Sequence, residues 1–491
     1  IQFYNDCMGL YSDKIGQLNS FYLDRINQCH QPSMLEYLRI EKITKRMYNP
    51  YVGLVYITGS NETLQHGREE LPNDHRTTSL SPVLDLGKNL QIKQTACGGL
   101  HSVGVSREGY VYSWGDETSG ALGRTGDQRN PNKPYRVRNL IPSKNSFFHV
   151  PVENEDNCIV SVAAGNTMSL FLSIHGTVYS TGTYRSTDDD QFHDITPPDQ
   201  THLQVSVKET KGESPMGSRA LPVQVLLPER AKFISCGATY CAVITNSHKL
   251  LTWGVEAKGE TGRGTTEKEA KSLLISKNVP NKPVLKKLLT PSPPIWPTKN
   301  KMHVMSVSCG TYHMMVVARP QDGPDMNKTL LYGCGNNAYG QLGLGHHDDK
   351  NTLQLVEMSR GLEIIDVACG SHHTLVRDIH CSAIYACGRG DKGQLGTIEK
   401  PEHNAYANTL ERVLFDSPHL FKSIACGDES SYAVTFEGLV YSWGFGESGA
   451  LGIGKESDAN RPTKMKLPKG MRALEVEAGG HHATAILVNP K

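Results

Sequence analysis

Short stretches in which apolar and small polar residues alternate recur along the chain, each bounded by glycine. The clearest is Gly-Tyr-Val-Tyr-Ser-Trp-Gly, from Gly109 to Gly115, and Gly-Leu-Val-Tyr-Ser-Trp-Gly, from Gly438 to Gly444, nearly repeats it. A period of two, with aromatic and β-branched enrichment, predicts strands. Seven segments open on a small residue or Cys followed by Gly: Cys97-Gly98, Ala164-Gly165, Cys236-Gly237, Cys309-Gly310, Cys369-Gly370, Cys426-Gly427 and Ala478-Gly479. The first six continue into an apolar strand, a turn and a second strand ending in Gly. Gly109–Gly123, Gly438–Gly454, Tyr332–Gly345 and Tyr385–Gly396 are the fuller copies, Leu251–Gly264 is weaker and Gly176–Gly182 the poorest. The core period is roughly 50 to 55 residues, the length of one four-stranded propeller blade.

The seventh segment runs to Val488 without its second half. That half stands at the other end, in Gly-Leu-Val-Tyr-Ile-Thr-Gly, Gly53 to Gly59. The pattern predicts an all-β, seven-bladed β-propeller over 51–491, its last blade completed by an N-terminal strand, which would tie the ends together and leave no open sheet edge. Cys-Gly-x-x-His followed by Gly-x-Val-Tyr-x-Trp-Gly resembles the repeat of the regulator-of-chromosome-condensation (RCC) propeller family, over about residues 51–490. The resemblance implies a rigid interaction disc. It also implies exchange activity as an alternative, since the founding type acts on the Ran GTPase.

Outside the blades, residues 1–50 predict a short helical extension: Ser33 to Glu36 reads as a capping box, and Leu35, Leu38, Ile43 and Met47 keep helical spacing up to Pro50. An insertion at about 183–230 begins acidic, with Asp188, Asp189, Asp190, Asp194 and Asp199. A second, at about 256–301, is basic, with ten Lys/Arg against four Glu. Lys258, Arg263, Lys271, Lys282, Lys286, Lys287, Lys299 and Lys301, with Trp296 as an apolar anchor inside Pro-Ser-Pro-Pro-Ile-Trp-Pro, are the candidate partner-binding residues.

Net charge is +1, which argues against a chain-wide attraction to nucleic acid or anionic membrane. The longest apolar runs are too short to span a bilayer, so no membrane role is expected. Five of the 12 cysteines share one repeat position and read as reduced, buried core residues of a reducing compartment. The start at Ile1 slightly favours the mitochondrial matrix over nucleus or cytosol. Cys97/His101, Cys309/His313, Cys369/His373 and His482 imitate metal ligands, but each pair belongs to its own blade, and zinc needs four ligands around one point. No nucleophile elbow or phosphate-cradling loop stands in a strand-to-helix setting. The expectation is therefore neither enzyme nor metal nor cofactor. It is a scaffold or assembly factor binding protein partners in a large complex, such as a mitochondrial ribonucleoprotein, with RNA contact through 256–301. The alternatives are an exchange factor for a small GTPase and a chromatin-associated propeller.

Overall fold

A computed structural model describes residues 53–489, apart from 63–64, 68–75, 84–90, 117–118, 125–132, 138–157, 184–221, 267–268, 270–287, 327 and 398–404. The helical extension expected within 1–50 and the acidic run at 188–199 lie outside the described residues.

Seven antiparallel sheets follow one another along the chain. Blade 1 is Ile92–Cys97, His101–Ser106, Val111–Gly115 and Tyr135–Arg136, and blade 2 is Ile159–Ala164, Met168–Ser173, Val178–Gly182 and Val223–Val225. Blade 3 has three described strands, Ala231–Cys236, Tyr240–Thr245 and Leu250–Gly254. Blade 4 is Met302–Cys309, His313–Pro320, Leu330–Gly335 and Lys350–Leu355, and blade 5 is Ile364–Cys369, His373–Asp378, Ile384–Arg389 and Tyr406–Arg412. Blade 6 is Phe421–Cys426, Ser430–Thr435, Val440–Gly444 and Ala459–Lys464. Blade 7 joins the chain ends: Arg472–Ala478 and His482–Val488 are followed in the sheet by Leu54–Ser60 and Arg76–Pro82. Leu54 pairs with Leu487 and Gly59 with His482, so the expected closure is made in a continuous six-residue register.

The repeated Gly after Cys or Ala explains the ring. A Cβ built on Gly98 would strike the carbonyl oxygen of Gly165. Gly165 meets Gly237 in the same way, then Gly310, Gly370, Gly427 and Gly479, and Gly479 returns to Gly98. All seven approaches are 2.7 Å or closer. Only a residue without a side chain lets the backbones crowd so near the axis.

Between blades the packing is apolar. Seven buried clusters are found among the described residues, each shared by two neighbouring blades. Trp114, Trp253 and Trp443 of the repeated Trp-Gly slot are fully buried in three of them. A single blade could not cover both its faces, so stability comes from these shared seams.

Blade 3 departs from the pattern for a chemical reason. Where its fourth strand belongs the chain reads Pro291-Ser292-Pro293-Pro294. Proline has no N–H to donate, so a ladder cannot form. Only Ser292 pairs, exchanging both main-chain bonds with Thr252, at 2.9 and 3.1 Å.

Candidate functional site: one face of the disc

In an antiparallel meander the turn between strands one and two and the turn between three and four lie at the same end. The Cys-Gly-x-x-His turns and the Gly-x-x-x-x-Gly turns therefore share one face of the propeller, here the front. The main chain stitches them together, as where Asp116 N–H donates to Leu100 O and Arg389 N–H to His372 O, at 2.9 and 2.8 Å.

Beneath this face lies a belt of seam hydrogen bonds built from the repeat histidines. Nε2 of His101, His313 and His373 reaches the hydroxyl of Ser169, Thr374 and Ser431 on the next blade, at 2.8, 2.8 and 3.0 Å. His482 does the same with Ser102, at 2.8 Å. Ser169, Thr374 and Ser431 donate their own protons to Ala121, Gln341 and Gln394 carbonyls. A hydroxyl has one proton, so each must accept from histidine Nε2–H, which fixes those rings as the neutral Nε2–H tautomer. Burial pushes the pKa of His101 down to about 4 and those of His313, His373 and His482 down to about 3. These histidines are seam struts, and among the described residues no three His, Cys, Asp or Glu converge as metal ligands. Burial also pushes the Cys97 and Cys369 thiols up to about 12. They stay protonated at neutral pH, as core groups rather than nucleophiles.

Where the blade 2 histidine slot holds Met168, the facing hydroxyl is replaced too. Cys241 Sγ points at Met168 Sδ at 3.1 Å. In blade 3 the slot holds Tyr240, whose hydroxyl donates to the Gly310 and His313 carbonyls at 3.0 and 2.7 Å. In blades 1 to 5 and 7 the slot therefore bonds or packs across the seam, whatever its residue.

The two x positions of Cys-Gly-x-x carry the front-face chemistry. On blades 4 to 7 they hold Thr311-Tyr312, Ser371-His372, Asp428-Glu429 and Gly480-His481. Tyr312, 41% exposed, stacks on His372 at 4.9 Å, and Tyr339 tilts onto the same imidazole at 5.0 Å. Burial, aided by the Arg389 charge, lowers the His372 pKa, which favours the neutral ring at pH 7. Arg389 bridges Glu429 and Asp391, each at 2.7 Å, with its guanidinium 5.5 Å from the Tyr339 ring centroid. Burial opposes the Arg389 charge, but the carboxylates outweigh it and its pKa is raised. Nearer the axis, Asp428 Oδ1 accepts from Ser371 and Thr311 hydroxyls at 2.7 and 3.2 Å. Across blades 5 to 7, Lys392 lies over Phe445 at 5.4 Å, Phe445 approaches His481 at 6.4 Å, and Arg76 pairs with Glu62 at 3.2 Å. Aromatic rings held by charged partners on a rigid frame are the composition of a protein-binding surface.

The residues singled out in the basic insertion have a different fate. Lys271, Lys282, Lys286 and Lys287 lie outside the described residues. Lys258 pairs with Asp349 of blade 4 at 3.1 Å. Arg263 Nη1 donates to Leu288 and Thr290 carbonyls at 3.0 and 3.2 Å, holding the end of the insertion against blade 3. Trp296 is half-buried, edge-on to Tyr332 at 5.1 Å, within the seam of blades 3 and 4. Ile295, Lys299 and Lys301 beside it are exposed. Among the described residues, no helix is long and apolar enough to cross a membrane.

The front-face cluster around Tyr312, Tyr339, His372 and Arg389 was missed by motif reading, which fixed on the constant residues of the repeat. The usable signal lay in the variable positions between them, which turn aromatic or charged on consecutive blades.

The family model described as RCC1-like domain matches residues 54–485. The chain is 26% identical over 456 residues to the mouse regulator of chromosome condensation, covering 91% of this chain and 93% of the relative. It is 25% identical to the guanine nucleotide exchange factor SRM1 of Saccharomyces cerevisiae over 401 residues, covering 76% of this chain and 73% of the relative. Among solved structures it is similar to Prp20p of Saccharomyces cerevisiae, described with its binding properties to Gsp1p and histones. That likeness has a TM-score of 0.72 and 22% identity, and covers 92% of this chain and 95% of that one. Human WBSCR16 matches with a TM-score of 0.64 and 18% identity, over 89% of this chain and all of that one. With its glycine ring, its N-terminal closing strand and a family match spanning all seven blades, this chain belongs to the RCC1-like domain family.

Proposed function

We propose that this propeller is a guanine-nucleotide exchange factor that receives a small GTPase of the Ran type on its front face. The observation that carries the reading is the concentration of paired charges and supported aromatic rings on that face across blades 4 to 7. Near end-to-end similarity to a regulator of chromosome condensation, and similarity to a yeast exchange factor, support a GTPase as the partner class. Exchange on a GTPase needs no bond making by the propeller. The exchange factor has to bind the nucleotide-free state more tightly than the loaded one, and a pre-organised face can supply that difference. Arg389, held by Glu429 and Asp391, and the Tyr312–His372 stack are arranged in advance, so little ordering cost falls on binding.

The test is affinity against nucleotide state. The propeller should bind a Ran-type GTPase stripped with a chelator at least tenfold more tightly than the same GTPase loaded with GDP. Equal affinity for both states removes exchange as the function. A second reading, a scaffold that grips a large assembly through 256–301, draws on exposed Ile295, Lys299 and Lys301 at the end of that insertion. Crosslinking of native material would then concentrate on these residues rather than on the front face.

A further inference from the structure

Two turn positions recur on the front face with the same hydrogen-bond role. In the first, a side-chain oxygen accepts the N–H five residues on: Asn61 from His66 at 2.9 Å, Asn337 from Leu342 at 3.0 Å, and in blade 3 Glu256 from Thr261 at 2.8 Å. In the second, it accepts the N–H two residues back: Gln341 from Tyr339 at 3.0 Å, Gln394 from Lys392 at 2.9 Å, and in blade 3 Glu260 from Lys258 at 2.8 Å. Blade 3 thus puts carboxyl groups in both slots where blade 4 beside it uses neutral amides.

The exchange has a cost. An amide offers one acceptor and one donor, whereas a carboxylate offers acceptors only. Asn337 uses its donor on the His346 carbonyl at 2.7 Å, and Gln341 uses its donor on Asn336 at 2.6 Å. Glu256 Oε1, in the corresponding slot, is buried and has no hydrogen-bond partner among the described residues. Both glutamates are only 3% exposed, in one turn, four residues apart. The Glu256 charge acts on Glu260 and adds to the burial that disfavours its ionisation.

We propose that Glu260 keeps its proton near neutral pH, making the blade 3 turn, and with it this sector of the front face, a pH-sensitive element. The proton gives this carboxyl the donor that Gln341 carries in the same slot, and its loss adds a buried negative charge to a tight turn. Arg263 faces the Glu256 charge, which opposes the lowering of its pKa by burial, and also donates to the Leu288 and Thr290 carbonyls. Lys258 is paired with Asp349 at the exposed rim. Cys334 and Tyr240, packed beneath, are kept neutral by burial. Burial, with the Glu256 charge adding to it, pushes the Glu260 pKa up to about 7. A raised carboxyl value means the folded chain holds the proton more tightly than the unfolded one. Stability from this carboxyl is therefore present at lower pH and is lost as pH rises through about 7.

The experiment compares the full chain with Glu260→Gln, the residue blades 4 and 5 already carry in this slot. Hydrogen exchange at 255–264, corrected for intrinsic rate, is measured between pH 6 and 8 with and without millimolar magnesium or calcium. The wild type should exchange severalfold faster at pH 8, and the variant should stay protected throughout. Infrared difference spectra should show a protonated-carboxyl carbonyl band at pH 6 that fades by pH 8 and is absent from the variant. An unchanged wild-type exchange rate across this range overturns the proposal, as does a variant that keeps the wild-type profile. Protection that appears only with the divalent ion, and is lost on chelation, overturns it in favour of a cation site. None of these outcomes depends on whether the front face binds a GTPase.

Discussion

Acid should open this propeller abruptly, because four seam struts are histidines that must stay neutral. His101, His313, His373 and His482 are fully buried, each bonded to the next blade, with pKa values of about 4, 3, 3 and 3 against an ordinary 6.5. For a base whose folded pKa is depressed, the unfolded chain binds the extra proton. Stability is therefore whole above pH 6.5 and is lost as pH falls toward the folded value. At pH 5 each histidine costs about 1.5 pH units of linkage, or about 2 kcal/mol, and four together cost about 8 kcal/mol. Domain stability is typically about 5–15 kcal/mol, so this is a large share of what holds the ring together. The assay is urea denaturation at fixed pH from 7.5 to 5. The midpoint should fall steeply below pH 6.5, with a slope approaching four protons. His101→Gln keeps a donor toward Ser169 but cannot take a proton, so it should remove about a quarter of that slope. A midpoint that is flat between pH 7 and 5, or a slope unchanged in the variant, refutes the neutral-strut reading.

Other expectations follow from packing and from the face. Trp443 is fully buried and donates from Nε1 to the Gln394 carbonyl at 2.9 Å, so Trp443→Ala should lose about 3–5 kcal/mol in chemical denaturation. Gly310→Ala would drive a methyl into the Gly370 carbonyl at the axis, and should lose about 1–3 kcal/mol by the same measurement. Arg389→Ala frees the Glu429 and Asp391 carboxylates on a half-buried surface. Stability should change by less than about 1 kcal/mol, while partner affinity measured by calorimetry should fall at least tenfold.

The fold was legible because its determinants repeat. Gly98 and its six counterparts are needed for the same close approach in every blade, and Val55 pairs with Ile486 because the half-repeat at each chain end is incomplete alone. The three-stranded character of blade 3 was less legible. It depends on prolines that remove ladder donors, and the basic charge of the insertion drew the reading toward partner binding instead. The front face was hardest to see. Tyr312 and Glu429 come from repeats other than the one that carries His372 and Arg389, and the four become neighbours only when blades 4 to 6 are set side by side. Motif reading favoured Arg263 and Trp296 because they stand out in composition, yet Arg263 bonds local carbonyls and Trp296 packs on Tyr332.

The account rests most heavily on the front face acting on a GTPase. The decisive measurement is the rate at which labelled GDP leaves a Ran-type GTPase when this chain is added, for the wild type and for two double variants. Tyr312→Ala with Arg389→Ala alters the front face, and Leu420→Ala with Phe436→Ala alters exposed residues of blade 6 at the opposite end of its strands. The expected result is acceleration by the wild type and by the blade 6 variant, with most of it lost in the front-face variant. Release no faster than the spontaneous rate, or acceleration that survives the front-face substitutions intact, would contradict the account.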